Sequence, residues 1–265
     1  RQTAYEVHAA THESLLKQEK PDLWNSARVE SDQNLHVLYR GKALRSKQRV
    51  FWRVRTWDET GAASKWSDTA WFETSIAPSD WKAEWIGSPT LVGGKKTGAR
   101  APYLRKALSL PCKPTRARLY VTSMGANEVY LNGAKVGDVV LAPGWTDYRK
   151  RIQVHTYDVA EMLNEGDNVI GALLGDGWGV GHIAWVGRQH YYDRPFLLAQ
   201  LEWEGPNGQK GTMHSDGSWL TAPSPILEND LYMGEAVDAR LEIPGWNLDP
   251  KLDTQAWTKA MVRES

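Results

Sequence analysis

One stretch, residues 171–181, most constrains how this chain can fold, because it joins an apolar run to a glycine-rich loop. The apolar residues 169–174 predict a buried strand. Glycines then occupy every second position, at 175, 177, 179 and 181, where they allow left-handed backbone and close approach of another surface. Between them stand Asp176 and Trp178. An indole beside a carboxylate suits a sugar ring, and the alternative interpretation is a tight turn with a half-buried tryptophan.

The composition excludes several classes of function. Lys and Arg together number 32, as do Asp and Glu, which argues against nucleic acid as the main partner because phosphate binding needs excess base. No run of 18 apolar residues occurs, so no membrane span is expected. The first residues lack the apolar core of a signal peptide, which slightly favours the cytoplasm. The single Cys112 permits neither an internal disulfide nor a cysteine-rich zinc site.

Residues 1–77 predict a small all-β domain. Its clearest strand is residues 50–57, which alternate between two faces, and further strands are expected at 3–9 and 70–74. A helical turn is expected within residues 11–20. A tryptophan on a central strand, a turn, and then Trp-Ser before a closing strand resemble the fibronectin type III sandwich. We favour core packing over a sugar platform for these aromatic residues.

Residues 78–102 are predicted to be a linker, since they contain Pro78, Pro89 and Pro102, and prolines interrupt regular structure.

Residues 103–265 predict a larger β domain. Asn132-Gly133 marks one hairpin and residues 205–208 mark another. A capping-box pattern at Asp158 predicts one short helix, closed by Gly166. Many short strands with regular turns predict a jelly-roll β-sandwich, so the whole chain is expected to be all-β.

The sequence lacks several catalytic signatures. It has no His-Glu-x-x-His, no Gly-x-Ser-x-Gly and no dinucleotide fingerprint. A glycosidase needs two carboxylates flanking one bond, and no spacing here marks such a pair.

Loop residues of the second domain remain as candidates for ligand binding. If their loops share one end of the sandwich, indoles and carboxylates converge there and could bind a sugar directly or through Ca²⁺. The candidate substrate-binding residues are Trp145, Asp147, Asp176, Trp178, Asp193 and Glu235. The alternative is structural: Asp193–Arg194 and Asp238–Arg240 would be ion pairs, and the tryptophans would be core.

The same loops resemble a known family. The motifs that carry the resemblance are residues 141–148, 157–159, 174–178, 193–195 and 234–240. In this order they are similar to the N-terminal part of bacterial α-L-rhamnosidases, and residues 51–58 look like the fibronectin-type domain that precedes it. The sequence departs from the family pattern at Gly179, Met233 and Val237, where the family usually has an aromatic residue, an aspartate and a tyrosine.

The resemblance implies a non-catalytic fragment. Enzymes of this family hydrolyse terminal α-L-rhamnosides with inversion, through carboxylates in an (α/α)₆ barrel that this sequence lacks. The expected partners are therefore rhamnose-containing glycosides and the catalytic barrel of a parent chain. Some related sandwiches bind L-rhamnose with Ca²⁺. The alternative is a purely structural bracing module with no sugar affinity, and the fragment alone is expected to be inactive.

Overall fold

The computed structural model describes residues 1–264, which form two compact units that meet in the sequence between Trp81 and Lys82. Regular structure is dominated by antiparallel strands, so the predicted all-β class is confirmed. Among the described residues, no helix has the length and apolar character needed to span a membrane. The segment predicted as a linker contains a 3₁₀ turn, Pro78–Asp80, and a short strand, Ile86–Gly87.

The first unit contains one antiparallel sheet and one short helix, α1 (Glu13–Lys17). The strands are β1 (Gln2–Ala10), β2 (Trp24–Asn25), β3 (Val29–Glu30), β4 (Arg49–Asp58) and β5 (Ala70–Glu73). They pair in the order β2-β1-β4-β5, and β3 also pairs with β1. Val50 on β4 is fully buried against Ala9 and Leu23, which explains why the alternating pattern forms a strand here.

The second unit is a sandwich of two six-stranded sheets with an additional two-stranded hairpin. Its strands are β6 (Ile86–Gly87), β7 (Pro102–Leu110), β8 (Arg116–Met124), β9 (Ala126–Leu131), β10 (Ala134–Lys135), β11 (His155–Asp158), β12 (Gly166–Gly175), β13 (Phe196–Glu204), β14 (Lys210–His214), β15 (Leu220–Pro223), β16 (Ile226–Asp230), β17 (Gly234–Val237), β18 (Thr258–Lys259) and β19 (Met261–Val262). One sheet has the order β10-β9-β12-β7-β15-β18. The other has the order β11-β8-β13-β6-β19, with β14 added to β13, and β16 pairs with β17.

The core of the second unit is built from apolar side chains of both large sheets. Leu104 and Ile170 from the first sheet cluster with Leu119 and Leu197 from the second, and all four are fully buried. This arrangement places the strand that opens the glycine-rich stretch, β12, at the centre of the sandwich. The glycine-rich loop is therefore attached to a central strand of the sandwich, next to its buried core.

Two local predictions had different outcomes. The Asn132-Gly133 turn is confirmed, since both residues have positive φ, +51° and +84°, and join β9 to β10. The predicted capping-box helix is wrong: only a 3₁₀ turn forms, Ala160–Met162. Asp158 is the last residue of β11. Its Oδ1 accepts from the backbone nitrogen of Ala160 at 3.3 Å, at the start of this single turn, and its Oδ2 accepts from Arg118 Nη1 at 2.7 Å.

Short helical segments complete the unit. One helical turn, α2 (Gly177–Val180), follows β12. Two further 3₁₀ turns, Ala184–Val186 and Ala239–Leu241, lie in loops.

Candidate functional site

The glycine loop, residues 175–181, lies directly against the beginning of β9. A Cβ added to Gly177, whose φ is +49°, would lie 2.7 Å from the backbone nitrogen of Ala126. At Gly179 an added Cβ would lie 2.7 Å from the backbone nitrogen of Gly125. Glycine is therefore required at positions 177 and 179 by the close packing of two backbone segments.

A buried charge network holds the loop in place. Asp176 is only 4% exposed, and its carboxylate contacts the guanidinium of Arg188, which is 6% exposed. Arg188 also donates from Nη1 to Asp230 at 2.7 Å, and the His182 ring bonds the same carboxylate at 2.9 Å. One guanidinium thus links the glycine loop to the end of β16.

The two carboxylates of this network differ in their protonation behaviour. Burial raises the pKa of Asp176, and the neighbouring Arg188 opposes that shift without cancelling it. Burial also acts to raise the pKa of Asp230, but hydrogen bonds from Tyr232 and His182 hold that pKa below its usual value. Asp176 consequently depends on Arg188 to remain charged in the interior.

Trp145 and Trp178 lie next to each other, as expected if their two loops share one end of the sandwich. Their indole planes are nearly parallel, at 6°, and their ring centroids lie 6.3 Å apart. Trp145 is 57% exposed, whereas Trp178 is half-buried. The loop that carries Trp145 is held by Tyr148, which is buried and whose hydroxyl donates to the carbonyl of Gly144 at 2.8 Å. The tryptophan pair is thus presented on anchored loops.

Asp147 lies in the same loop as Trp145 and is bound to a neighbouring arginine. Its Oδ1 accepts from Arg149 Nε at 2.9 Å, and this hydrogen bond lowers the pKa of Asp147. Arg149 also lies over the ring of Tyr191, 5.6 Å from its centroid. The carboxylate therefore has a partner within its own loop.

Asp193 forms the ion pair that the structural alternative predicts. Its Oδ2 accepts from Arg194 Nη2 at 3.1 Å, and its side chain is 58% exposed. Arg194 also donates from Nη1 to the carbonyl of Ser88 at 3.3 Å. The equivalent pair predicted for Asp238 and Arg240 is also present, at 2.7 Å.

Glu235 is exposed on β17 and lines two cavities on the hairpin β16–β17. The larger is a cleft of about 550 Å³ and the smaller measures about 190 Å³. Asn229 and Asp230 line both of them, and Gly177 of the glycine loop lines the larger. Glu235 and the base of the glycine loop therefore face one cavity system.

Three of the four carboxylates proposed as sugar or calcium ligands have arginine partners. Asp147, Asp176 and Asp193 each bind an arginine. Among residues 1–264 no group of three or more His, Cys, Asp or Glu side chains is placed to hold a metal ion.

Three residues of the cavity system were missed by the sequence analysis: Arg188, Asn229 and Asp230. Asn229 Oδ1 accepts from the backbone nitrogen of Asp176 at 2.6 Å. These partners are separated by 12 to 53 positions in the chain, so no local pattern connects them. The one local indication in the sequence is the run of acid and amide side chains at residues 228–230, which is typical of a turn.

Comparison with protein families confirms the resemblance in both units. Residues 112–265 match the family model described as the α-L-rhamnosidase N-terminal domain, which spans more than half of the chain. Residues 1–78 match a model described as the Rha78A-like N-terminal immunoglobulin domain. Immunoglobulin and fibronectin type III domains share the sandwich architecture.

Individual relatives agree with the family models. An α-L-rhamnosidase of Formosa agariphila is 39% identical over 97% of this chain, which spans only 28% of that relative. The solved α-L-rhamnosidase of Dictyoglumus thermophilum superposes with a TM-score of 0.88 at 36% identity, over all of this chain and 30% of that one. The Streptomyces avermitilis enzyme, solved in complex with L-rhamnose, gives a TM-score of 0.89 at 26% identity, over all of this chain and 42% of that one.

Proposed function

We propose that this chain, which belongs to the family of α-L-rhamnosidase N-terminal domains, is a non-catalytic N-terminal part of an α-L-rhamnosidase. In this proposal its larger unit helps to recognise rhamnose-containing glycosides and also supports the catalytic barrel of the parent chain.

The observation that carries the recognition proposal is the tryptophan pair. Two parallel indoles, one of them more than half exposed, lie on loops that a rigid sandwich positions. The apolar face of a sugar ring can stack on such a surface while its hydroxyl groups bond nearby polar side chains. Of the carboxylates proposed to contact the sugar, Asp147 is in the same loop and Glu235 is exposed.

The absence of catalysis in this proposal is supported by the partners of the loop carboxylates. A general acid or base must exchange its proton with the substrate. Asp147 and Asp193 are each bonded to an adjacent arginine, and Asp176 is enclosed with Arg188. We therefore assign Asp176 the role of positioning the glycine loop below Trp178.

A second candidate function, bracing without sugar affinity, is favoured by exposed apolar side chains. Trp185 is fully exposed at the tip of a loop, beside Val186 at 61%, and Met233 on the hairpin is 73% exposed. Apolar side chains in such positions are suited to contact another protein surface. Under bracing, hydrogen exchange at residues 183–187 would be slower in a longer parent enzyme than in this chain.

Calorimetric titration with L-rhamnose tests the recognition proposal. We expect Trp145→Ala and Trp178→Ala each to weaken binding roughly three- to tenfold, because each removes stacking area. Trp185→Ala is the matched control, since it removes an exposed indole outside the pair. Adding Ca²⁺ should leave the affinity unchanged. If millimolar sugar produces no heat with the unmodified chain, recognition is excluded and bracing remains.

A further inference from the structure

A cavity beside β7 is separate from the two cavities on the hairpin β16–β17 and measures about 240 Å³. It is lined by residues 105–107 of β7, by residues 218 and 220 around the start of β15, and by the loop 250–254. None of these residues lines the cavities on the hairpin. Its volume is below the ~300–1,000 Å³ of typical ligand pockets, so it admits only a small ligand.

Arg105 is the buried charged group of this cavity, with a side chain that is largely without partners. It is 3% exposed, and its Nη2 donates to the backbone carbonyl of Asp249 at 2.6 Å. Within residues 1–264, Nε is buried and has no hydrogen-bond partner, whereas Nη1, which also has none, keeps some accessible surface. A guanidinium has five N–H donors, so most of those of Arg105 are unused.

The surroundings of Arg105 do not neutralise its charge. Burial lowers the pKa of Arg105 more than the nearby Asp249 raises it, and the Asp249 carboxylate is itself bonded to the backbone nitrogen of Lys251 at 2.8 Å. In the described part of the chain no acidic side chain lines the cavity, whereas a second cation, Lys106, does and donates to the Ser218 hydroxyl. A buried cation without a counter-charge is costly, and an anion in the cavity would reduce that cost.

Thr254 offers a second hydrogen-bond donor to the same cavity. Its side chain is half-buried, and its hydroxyl makes no hydrogen bond to any residue that the structure describes. The other lining hydroxyl, that of Ser218, already donates to Asp216. Leu220 and Leu252 add apolar lining. A charged donor, a free hydroxyl and apolar side chains together suit a carboxylate attached to a small organic body.

We propose that this cavity binds the carboxylate of a small organic acid. One carboxylate oxygen would accept from Arg105 Nη1 and the other from the Thr254 hydroxyl, while the body of the ligand lies against the leucines. A free acid and a uronic acid residue of a glycan present this same chemistry. The inference goes beyond the proposed function and does not depend on it, because the cavity shares no residue with the tryptophan pair.

Two matched ligands test the need for the carboxylate. D-glucuronate and D-glucose share a pyranose ring and differ at C6, which is a carboxylate in one and a hydroxymethyl group in the other. In calorimetric titrations at constant ionic strength, we expect the glucuronate to bind at least about tenfold more tightly. Equal affinity, or no heat from millimolar glucuronate, would overturn the site.

Sodium acetate distinguishes the two sources of the carboxylate. Tighter binding of D-glucuronate than of acetate would retain the site and assign it to a uronic acid residue. Equal affinity of the two anions would retain the site and assign it to a free acid.

Arginine side-chain NMR signals locate the binding. The Nε–H signal of Arg105, identified by its loss in Arg105→Met, and the backbone amide signal of Thr254 should both shift on titration with D-glucuronate. Shifts confined to the indole N–H signals of Trp145 and Trp178 would overturn the site and leave the sugar-recognition proposal standing. The absence of any shift would also overturn the site.

Substitution of Thr254 provides an independent readout that leaves the buried guanidinium in place. Thr254→Val keeps the shape of the side chain and removes its hydroxyl, so it should weaken glucuronate binding about fivefold. Thr97→Val is the matched control, since Thr97 is exposed in the same unit and does not line the cavity. Unchanged affinity of Thr254→Val for glucuronate would overturn the site.

Discussion

Trp66 of the first unit and the tryptophan pair of the second unit are used in opposite ways. In the first unit, Trp66 lies against the guanidinium groups of Arg53 and Arg55, 4.3 Å and 4.6 Å from its ring centroid. In the second unit, Trp145 and Trp178 face each other, and neither has a cation over its ring among the described residues. An indole paired with cations is committed to packing, whereas an indole left partly open can accept a ligand.

In the first unit, the contacts between arginines and tryptophans form one connected network. Arg55 lies against Trp66 and also 5.1 Å from Trp57, which in turn contacts Arg28 at 5.0 Å. Glu6 bonds Arg55 Nε at 2.8 Å. Side chains from four separate segments are therefore interlocked, which supports core and strand packing as the role of these tryptophans.

The largest expected effect on stability concerns the glycine loop, which carries Trp178 of the tryptophan pair. Asp176→Ala removes one carboxylate from a buried guanidinium, which should lower the free energy of unfolding of the second unit by about 3–5 kcal/mol. Hydrogen exchange measured by mass spectrometry reports each unit separately and provides the test.

Arg149→Ala is the control for Asp176→Ala, because it breaks an exposed ion pair and should cost no more than about 1 kcal/mol. Equal effects of the two substitutions would show that Asp176 is not enclosed as described.

Substitutions of Trp66 and Trp145 test the comparison between a tryptophan packed against arginines and one that is left partly open. Trp66→Ala should lower the free energy of unfolding of the first unit by about 3 kcal/mol, because it removes contacts to two arginines and a histidine. Trp145→Ala should lower that of the second unit by less than about 1.5 kcal/mol, because only one partly exposed ring contact is lost. Urea titration followed by hydrogen exchange measures both, and the reverse ranking would break the comparison.

The smallest expected effect is a pH dependence of the first unit. Burial lowers the pKa of His8 more than its hydrogen bond to Glu6 raises it. A histidine whose folded pKa is lowered binds more protons when unfolded, so stability is full above the unfolded pKa and is lost as pH falls through the folded value. The first unit should therefore weaken below about pH 6.5.

His8→Phe keeps a ring against Trp66, which lies 4.3 Å away between centroids, and removes the titrating group. Hydrogen exchange between pH 5 and 8 should then lose this component of its pH dependence in the first unit. An unchanged pH profile in the variant would exclude His8 as the cause.

Local features of the sequence were sufficient for much of the fold. The alternation along residues 50–57 predicted β4, and Asn132-Gly133 predicted a turn because both residues tolerate positive φ. The capping-box pattern at Asp158 predicted a short helix, but only a 3₁₀ turn forms, although the Asp158 carboxylate does accept from the backbone nitrogen of Ala160 at 3.3 Å. The local pattern therefore located the turn but not its length.

The candidate site was predictable only in part. The sequence identified the loops of Trp145 and Trp178, and the structure brings these two residues together. It did not identify Asn229 or Arg188, and it could not show that Asp176 is buried. The roles of the six candidate residues in binding remain predictions.

The sequence alone determined the all-β class, the hairpin turns and the family, because these depend on side-chain alternation, backbone conformations of glycine and asparagine, and ordered motifs. Only the tertiary structure decided which tryptophans are covered by arginines and which remain open. It also decided that Asp176 is bound by Arg188 while Glu235 is exposed on the cleft. The physical reason is that burial and ion pairing join residues from separate strands and loops, and no local pattern specifies which of them meet.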